Sequence, residues 1–330
     1  MKRNADNVIF DGRWFGEHGI GRFATEVYLR NNDFKLIDKG VKPTSPLDVL
    51  FITLYLLFNK GFYFSPGYNA PYFFLKRAAI TIHDLNHIDI DCNSSFLKRL
   101  YYTAVMKRAC HKAYKIFTVS DFSKKRIAQW AGIDESKIVV VGNGVSSEFT
   151  NINTNTTISK NHILVVSNRK EHKNELRIID AFENSTIPKD IDLVFTGDIN
   201  DKLKALLVEK NLQKRVRFTG RVTNEELAEL YKGAVFLLFP SLYEGFGLPV
   251  IEAMSCGTPV ITSNSTSLPE VAGDAALLVN PEKVSDITNA IDTLYFDQDL
   301  QRILIDKGYI QAKKFTWEKT SNIIRENLIL

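Results

Sequence analysis

The chain has 330 residues, 45% hydrophobic and 24% charged, which suits two α/β domains with separate cores and excludes a low-complexity or fibrous protein. Its three cysteines, Cys92, Cys110 and Cys256, form no CxxC pair, which argues against a disulfide framework or a cysteine zinc site and fits a reducing, cytoplasmic setting. The net charge of +4 divides unevenly: residues 1–150 hold 21 Lys and Arg against 14 Asp and Glu, residues 151–330 hold 21 against 24. The basic half suits an anionic surface or ligand, with a solvated basic face as the alternative.

Met1–Asn7 is polar and leads directly into Val8-Ile9-Phe10, unlike a cleavable signal. Strands are predicted at Val8–Phe10, Phe62–Phe64, Ala79–Ile82, Ile116–Val119 and Ile138–Val141, with helices at Arg22–Leu29, Phe96–Ala113 and Ser123–Trp130. The longest apolar run, Val49–Phe58, reaches about half of the roughly 20 residues a membrane span requires, and reads as a buried element. Ser146–Thr157 is polar and aperiodic, as an interdomain linker would be. A second βα series follows, with strands at Ile163–Val166, Leu193–Phe195, Val216–Phe218, Phe236–Phe239, Val260–Ile261 and Ala276–Val279. Helices are predicted at Lys173–Phe182, Asp201–Lys210, Asn224–Lys232 and Pro249–Ala253, with a helical tail from Val284. This alternation implies two parallel sheets, whose ligands bind beyond the carboxyl ends of the strands.

Several candidate residues fall there. After the strand ending near Phe239, a loop containing Glu244, Phe246, Gly247 and Leu248 meets a helix opened by Pro249, so backbone N–H groups face an anion or sugar hydroxyl. Glu252, expected in the first helical turn, then faces the same ligand as Glu244, unless it only complements the helix dipole. Arg169 and Lys173 follow the strand ending at Val166, four apart and on one side if the helix has begun; a fork and a point charge suit a diphosphate, a solvated loop being the bland alternative. Gly16, Gly19 and Gly21 form a glycine-rich loop after the first strand, without the third glycine of a dinucleotide fingerprint. His83, with Asp84, ends a strand, though a lone histidine is often structural. Ser120, Ser123 and Asn143-Gly144 read as caps and turns. Three Asp-x-Asp matches, at Asp89/Asp91, Asp190/Asp192 and Asp297/Asp299, lack a glycine-rich strand end and read as surface, so no metal site is predicted.

Glu244-Gly-Phe-Gly-Leu-Pro-Val-Ile-Glu252, followed by Ala253-Met-Ser-Cys-Gly-Thr-Pro-Val260, resembles the signature of family 4 of the retaining glycosyltransferases. Phe218-Thr-Gly-Arg-Val222, Ser267-Leu-Pro-Glu-Val-Ala-Gly273, Ala276-Leu-Leu-Val-Asn-Pro281 and Phe315-Thr-Trp-Glu318 extend the likeness over nearly the whole chain. The resemblance implies a GT-B fold: an acceptor-side Rossmann-like domain over 1–150 faces a nucleotide-sugar domain over 151–315 across a cleft, and a C-terminal helix over 316–330 crosses back to the first domain.

It also implies roles. Glu252 would bind the donor ribose, whose diol an ionised carboxylate can accept. Glu244 and the amides of Phe246, Gly247 and Leu248 would hold the donor sugar and phosphate, Arg169 and Lys173 would neutralise the departing diphosphate, Gly19 and Gly21 would approach the phosphates, and His83 would contact the sugar or reacting centre. The expected activity is metal-independent, cofactor-free transfer with retention from a nucleotide-sugar, GDP-mannose first, to a glycan or lipid-linked oligosaccharide, as in bacterial surface-polysaccharide assembly. Competing readings are a UDP-sugar-dependent transferase, an epimerase or phosphorylase on the same fold, and a silent nucleotide-sugar-binding subunit. A nucleic-acid partner is not expected, because the basic charge forms no reading motif. The Phe96–Lys112 segment, with Phe62, Tyr63, Tyr68, Tyr72, Phe73, Phe74, Lys76 and Arg77, is a candidate patch for peripheral attachment at the inner face of the cytoplasmic membrane.

Overall fold

Short runs of apolar residues, buried on both faces, build two six-stranded parallel sheets in the computed structural model, which describes residues 4–90, 96–150 and 161–329. The chain divides into two compact units, Met1–Gly144 with Thr316–Leu330, and Val145–Phe315.

In the first unit, β1 (Val8–Asp11) leads to α1 (Gly19–Leu29), β2 (Lys35–Ile37), α2 (Asp48–Phe58), β3 (Phe62–Ser65), β4 (Ala78–Thr81) and the short α3 (Asn86–Asp89). Next come α4 (Phe96–Tyr101), a π-turn over Tyr102–Met106, α5 (Lys107–Lys112), β5 (Lys115–Thr118), α6 (Asp121–Ala131) and β6 (Ile138–Val140). The sheet order is β2-β1-β3-β4-β5-β6, so its direction reverses between β1 and β3. Val8, Phe10, Phe64, Ile80, Ile116 and Phe117 are fully buried in it.

The second unit runs from α7 (Ser147–Thr150) through β7 (His162–Val165), α8 (Glu175–Asn184), β8 (Asp192–Phe195), α9 (Asp201–Glu209), β9 (Val216–Phe218), α10 (Asn224–Gly233) and β10 (Ala234–Phe239). It continues with α11 (Leu248–Ser255), β11 (Val260–Ser263), α12 (Leu268–Ala272), β12 (Leu277–Val279), α13 (Val284–Phe296) and α14 (Gln298–Ala312). Its order, β12-β11-β10-β7-β8-β9, is the doubly wound Rossmann pattern, reversing between β7 and β10. The final helix, α15 (Trp317–Leu328), belongs to the first unit and packs on α1.

Several expectations are corrected. The segment Val145–Thr150 sits with the second unit, because Phe149 is fully buried there and lies edge-on to Tyr231, centroids 5.9 Å apart. The rest of the expected linker lies outside the described residues, as do Cys92 and Asp91. The run read as a buried element is α2, and only one side is buried: Ile52 and Leu56 are inaccessible, whereas Leu50 and Phe58 are 58% and 81% exposed. Of the expected membrane patch, Phe62 and Tyr63 are core residues of β3, while Tyr72 and Phe73 are exposed. Among the described residues, no helix is long and apolar enough to cross a membrane. The strand β2 went unpredicted, being three residues long and half-exposed.

Candidate functional site

In the second unit the predicted residues gather where the sheet reverses. The chain leaves β7 through Ser167–Asn174, and Arg169 and Asn174 both adopt left-handed backbone, at φ 63° and 62°. Lys173 lies in a 3-10 turn, Glu171–Lys173, and α8 starts only at Glu175. The helix has therefore not begun at Arg169, and the two cations point differently. Lys173 turns toward the loop after β10, its Nζ 2.6 Å from Glu244 Oε1 and 4.7 Å from the centre of the Phe239 ring. Arg169 turns toward β8: its guanidinium lies 5.3 and 5.1 Å from the Phe195 and Phe218 rings and donates to the Thr196 carbonyl.

Glu175 Oε1 is 2.8 Å from Arg169 Nη1, but off the N–H direction, so the contact is an ion pair without a hydrogen bond. Nε and Nη1 thus remain buried donors with no acceptor, an arrangement that costs stability and suits an incoming anion. Burial pushes this guanidinium below its usual pKa range, against the pull of Glu175 and Asp198.

The Glu244 loop is built to hold its shape. Ser267 Oγ donates to the Glu244 and Phe246 carbonyls at 2.9 and 3.0 Å, and the Glu244 N–H donates to Thr266 Oγ1 at 3.3 Å. Phe246 stands edge-on to Phe315 at 5.5 Å. Gly247 has φ 104°, and a Cβ there would come within 2.6 Å of Leu268, so only glycine fits before Leu248 opens α11. The helix thus begins one residue before Pro249, and Glu252 falls in its second turn, not the first. Glu252 is 2% exposed and accepts from Tyr231 Oη at 3.0 Å. Lys173 and Glu244 are joined directly, whereas Glu252 is held back against α10.

Sequence reasoning missed Asn174. Its Nδ2 donates to the carbonyls of Pro240 and Pro281, at 3.0 and 2.6 Å, tying the loops after β7, β10 and β12 together. An Asn directly before a helix after a basic loop is the available signal, since Asn tolerates the left-handed region.

In the first unit, Gly21 and Gly19 differ. A Cβ on Gly21 would collide with the backbone of Gly16, so packing demands glycine; around Gly19 nothing lies within 4 Å, and the chain itself makes no such demand. His18 caps α1, its Nδ1 accepting from Gly21 N at 3.0 Å. His83 is buried at the end of β4, its Nε2 donating to the Pro66 carbonyl at 2.9 Å and its ring edge-on to Phe23 at 4.9 Å. Burial lowers its pKa to about 4, so the ring is neutral at ordinary pH. Ser120 caps α6 and Ser123 Oγ donates to the His83 carbonyl at 3.0 Å.

A buried network also escaped the sequence. Asp11, at the end of β1, accepts from Arg13 Nη2 and Tyr63 Oη, each at 2.6 Å, and from Asn69 at 2.8 Å. Asp48 accepts from Arg13 at 2.7 Å, and Asn69 in turn accepts from Trp14 Nε1 at 2.8 Å. Burial raises the Asp48 pKa to about 6, although Arg13 opposes the shift. The network fixes Trp14, which, with Ile20, Pro46, Val49, Tyr68 and Tyr101, lines an apolar pocket of about 620 Å3 at the reversal of the first sheet.

The described Asp-x-Asp carboxylates have structural partners: Asp89 pairs with Arg126 at 2.6 Å, Asp192 with Arg217 at 2.9 Å, Asp299 with Arg302 at 3.0 Å, and Asp297 caps α14. Asp190 is exposed. Among the described residues no cluster of three His, Cys, Asp or Glu stands at metal-binding spacing.

Residues 148–311 match the family described as glycosyl transferases group 1, and residues 62–149 match glycosyltransferase family 4. The chain is 31% identical over 271 residues to O-antigen chain mannosyltransferase B of Escherichia coli, covering 76% of this chain and 71% of that one. It is 28% identical over 234 residues to the serotype-specific mannosyltransferase WbdA of Escherichia coli; the match covers 65% of this chain but spans only 28% of that relative's length. Among solved structures it is similar to WaaG, a glycosyltransferase involved in lipopolysaccharide biosynthesis, with a TM-score of 0.76 at 16% identity, covering 96% of this chain and 99% of that one. The fold is therefore GT-B.

Proposed function

This chain belongs to the family 4 glycosyltransferases, and on that premise we propose that it moves mannose from GDP-mannose to a hydroxyl of a glycan or lipid-linked oligosaccharide, with retention of configuration and without a metal. The mannosyltransferase relatives support the sugar. The observation that carries the chemistry is Lys173 Nζ held 2.6 Å from Glu244 at the reversal point of a Rossmann sheet.

Without donor, Lys173 has a carboxylate partner. A donor diphosphate replaces that partner and, reaching across to the β8 side, takes up the Arg169 donors that make no hydrogen bond. As the bond from the sugar's anomeric carbon to phosphate oxygen breaks, negative charge grows on that oxygen, and two fixed cations stabilise it more than they stabilise the bound substrate. The acceptor oxygen bonds to the anomeric carbon from the same face, and its proton passes to the departing phosphate. Glu244, released from Lys173, is free to accept from the sugar hydroxyls. Glu252, held by Tyr231, is assigned to the ribose. The apolar pocket of the first unit is assigned to the acceptor.

Calorimetric titration with GDP, UDP and ADP in chelator, then with Mg2+, tests the donor assignment. GDP should bind best in chelator, and Glu252→Ala should weaken it at least tenfold. Lys173→Ala should cut turnover of GDP-mannose by roughly tenfold to thousandfold, the scale of losing one charge stabiliser. UDP preference would replace the donor, a strict Mg2+ requirement would overturn metal independence, and donor conversion without acceptor would mean an epimerase.

A further inference from the structure

Trp14 forms one wall of the apolar pocket in the first unit, and Pro43, Pro46 and Val49, where the chain turns into α2, form another. Both walls are tied down by polar groups behind them. The loop after β3 passes so close to Trp14 that a Cβ on Gly67 would collide with the indole ring. Arg13 donates through Nη1 to the Val41 carbonyl and to Asp48 Oδ1, each at 2.7 Å, and so grips the Pro43–Pro46 turn at both ends.

Asn69 joins the two walls. It is 1% exposed and lies behind the pocket lining. Its Nδ2 donates to Asp11 Oδ2 at 2.8 Å and to Asp48 Oδ2 at 3.1 Å. Its Oδ1 accepts from Trp14 Nε1 at 2.8 Å and from the Ser65 hydroxyl. A side-chain amide offers two hydrogens and two lone pairs, and here all four are answered. Reversing the amide would set its oxygen against two carboxylates and its N–H groups against the indole N–H. The orientation of Asn69 is therefore fixed, and with it the placing of Trp14 relative to α2.

Stability alone does not account for this cluster. Asp11, Asp48 and Arg13 are all buried, and one guanidinium answers two carboxylates. Apolar side chains of the same volume often stabilise a core as well or better. What a fully answered buried network supplies is a single arrangement of its members, and here those members carry the pocket walls.

We propose that Asn69 is a positioning residue for the acceptor: without touching it, Asn69 locks Trp14 to the Pro43–Val49 wall and holds the pocket open at one width. The proposal rests on the assignment of that pocket to the acceptor.

Transfer from GDP-mannose to octyl α-mannoside, a probe with a hydroxylated ring and an apolar tail, tests it. Asn69→Ala and Asn69→Ser should each raise the KM of the probe about tenfold while kcat and the GDP-mannose KM hold, the pattern of lost ground-state binding. The serine keeps a small hydroxyl beside the carboxylates, should the alanine variant fail to fold. Trp14→Phe, which removes the indole N–H, should raise that KM too, and adding Asn69→Ala to it should raise it little further, since both break one link. The chain has three tryptophans, so 5-fluorotryptophan labelling gives a second reading, with the Trp14 signal identified by its loss in Trp14→Phe. That signal should be single in wild type and broadened or split in both Asn69 variants, with the Trp317 signal unchanged. An unchanged probe KM beside a lowered urea midpoint would make Asn69 an ordinary core residue and overturn the proposal, as would additive effects of the two substitutions. Val49→Trp, which fills the pocket, tests the assignment beneath it. If this variant leaves the probe KM unchanged, the assignment and the proposal fall together; if it raises the KM and the Asn69 variants do not, the proposal alone falls. Absence of transfer in wild type would fault the proposed reaction, and the fluorine signal then decides: octyl α-mannoside should shift it in wild type and bind about tenfold more weakly in the Asn69 variants. No shift in wild type, or equal binding in the variants, overturns the proposal.

Discussion

His83 carries a consequence that its hydrogen bond alone would not suggest. In the folded chain its ring takes a proton only near pH 4, whereas the ordinary value is 6.5, because burial disfavours the charged form more than the Pro66 carbonyl favours it. Below pH 6.5 the unfolded chain therefore binds the proton first. Stabilisation that is fully present above 6.5 is lost progressively as pH falls toward 4, at most about 3 kcal/mol for the whole shift. His162 is also lowered by burial and adds a loss of the same sign, so the comparison must be differential. Between about pH 7 and pH 5, the urea midpoint of wild type should drop further than that of His83→Gln, which keeps an N–H donor. Equal slopes would mean that burial does not hold the ring neutral in the native state over this range.

At the scale of elements, the loop after β7 shows how a few backbone angles place a cation. Asn174 holds φ 62°, which an alanine resists, and spans to the carbonyls of Pro240 and Pro281. Asn174→Ala should cost about 2–3 kcal/mol, combining backbone strain with two unpaired buried carbonyls, while Asn174→Gly relieves the strain and costs less. Urea denaturation of both variants checks this, and equal losses would deny the backbone's share. This loop also marks where sequence reading runs out. Strands such as β1, β4 and β10 were legible because residues buried on both faces spell continuous apolar runs. Lys173 and Glu244 were legible because they follow such strands. The direction of Arg169 was not, since it depends on a left-handed turn and on the Phe195 and Phe218 rings from neighbouring strands. Nor was the exposed side of α2, because an apolar run does not say which of its faces the sheet covers.

For the molecule as a whole, the question is what binds the last fifteen residues to the first unit. Trp317 is 2% exposed, stands edge-on to Phe23 at 6.2 Å, and its backbone fills the space a Cβ on Gly144 would need. Ile324 and Leu328 are fully buried on the same helix. Ser321 Oγ accepts from Asn31 at 2.6 Å, and Arg325 grips Asp33 through two bonds of 2.8 and 2.6 Å, holding that carboxylate below its usual pKa. The Asp33 pair is solvent-exposed and adds little; the tryptophan is the anchor. Trp317→Ala should cost about 3–5 kcal/mol, the range for emptying a large aromatic site. The loss should be local to the first unit. Hydrogen exchange read by mass spectrometry should quicken in β1, α1 and α15, yet leave β10 and β11 as protected as in wild type. Equal quickening in β10 would show that the two units share one cooperative unfolding transition, and the stability of the second unit could then not be argued from its own contacts.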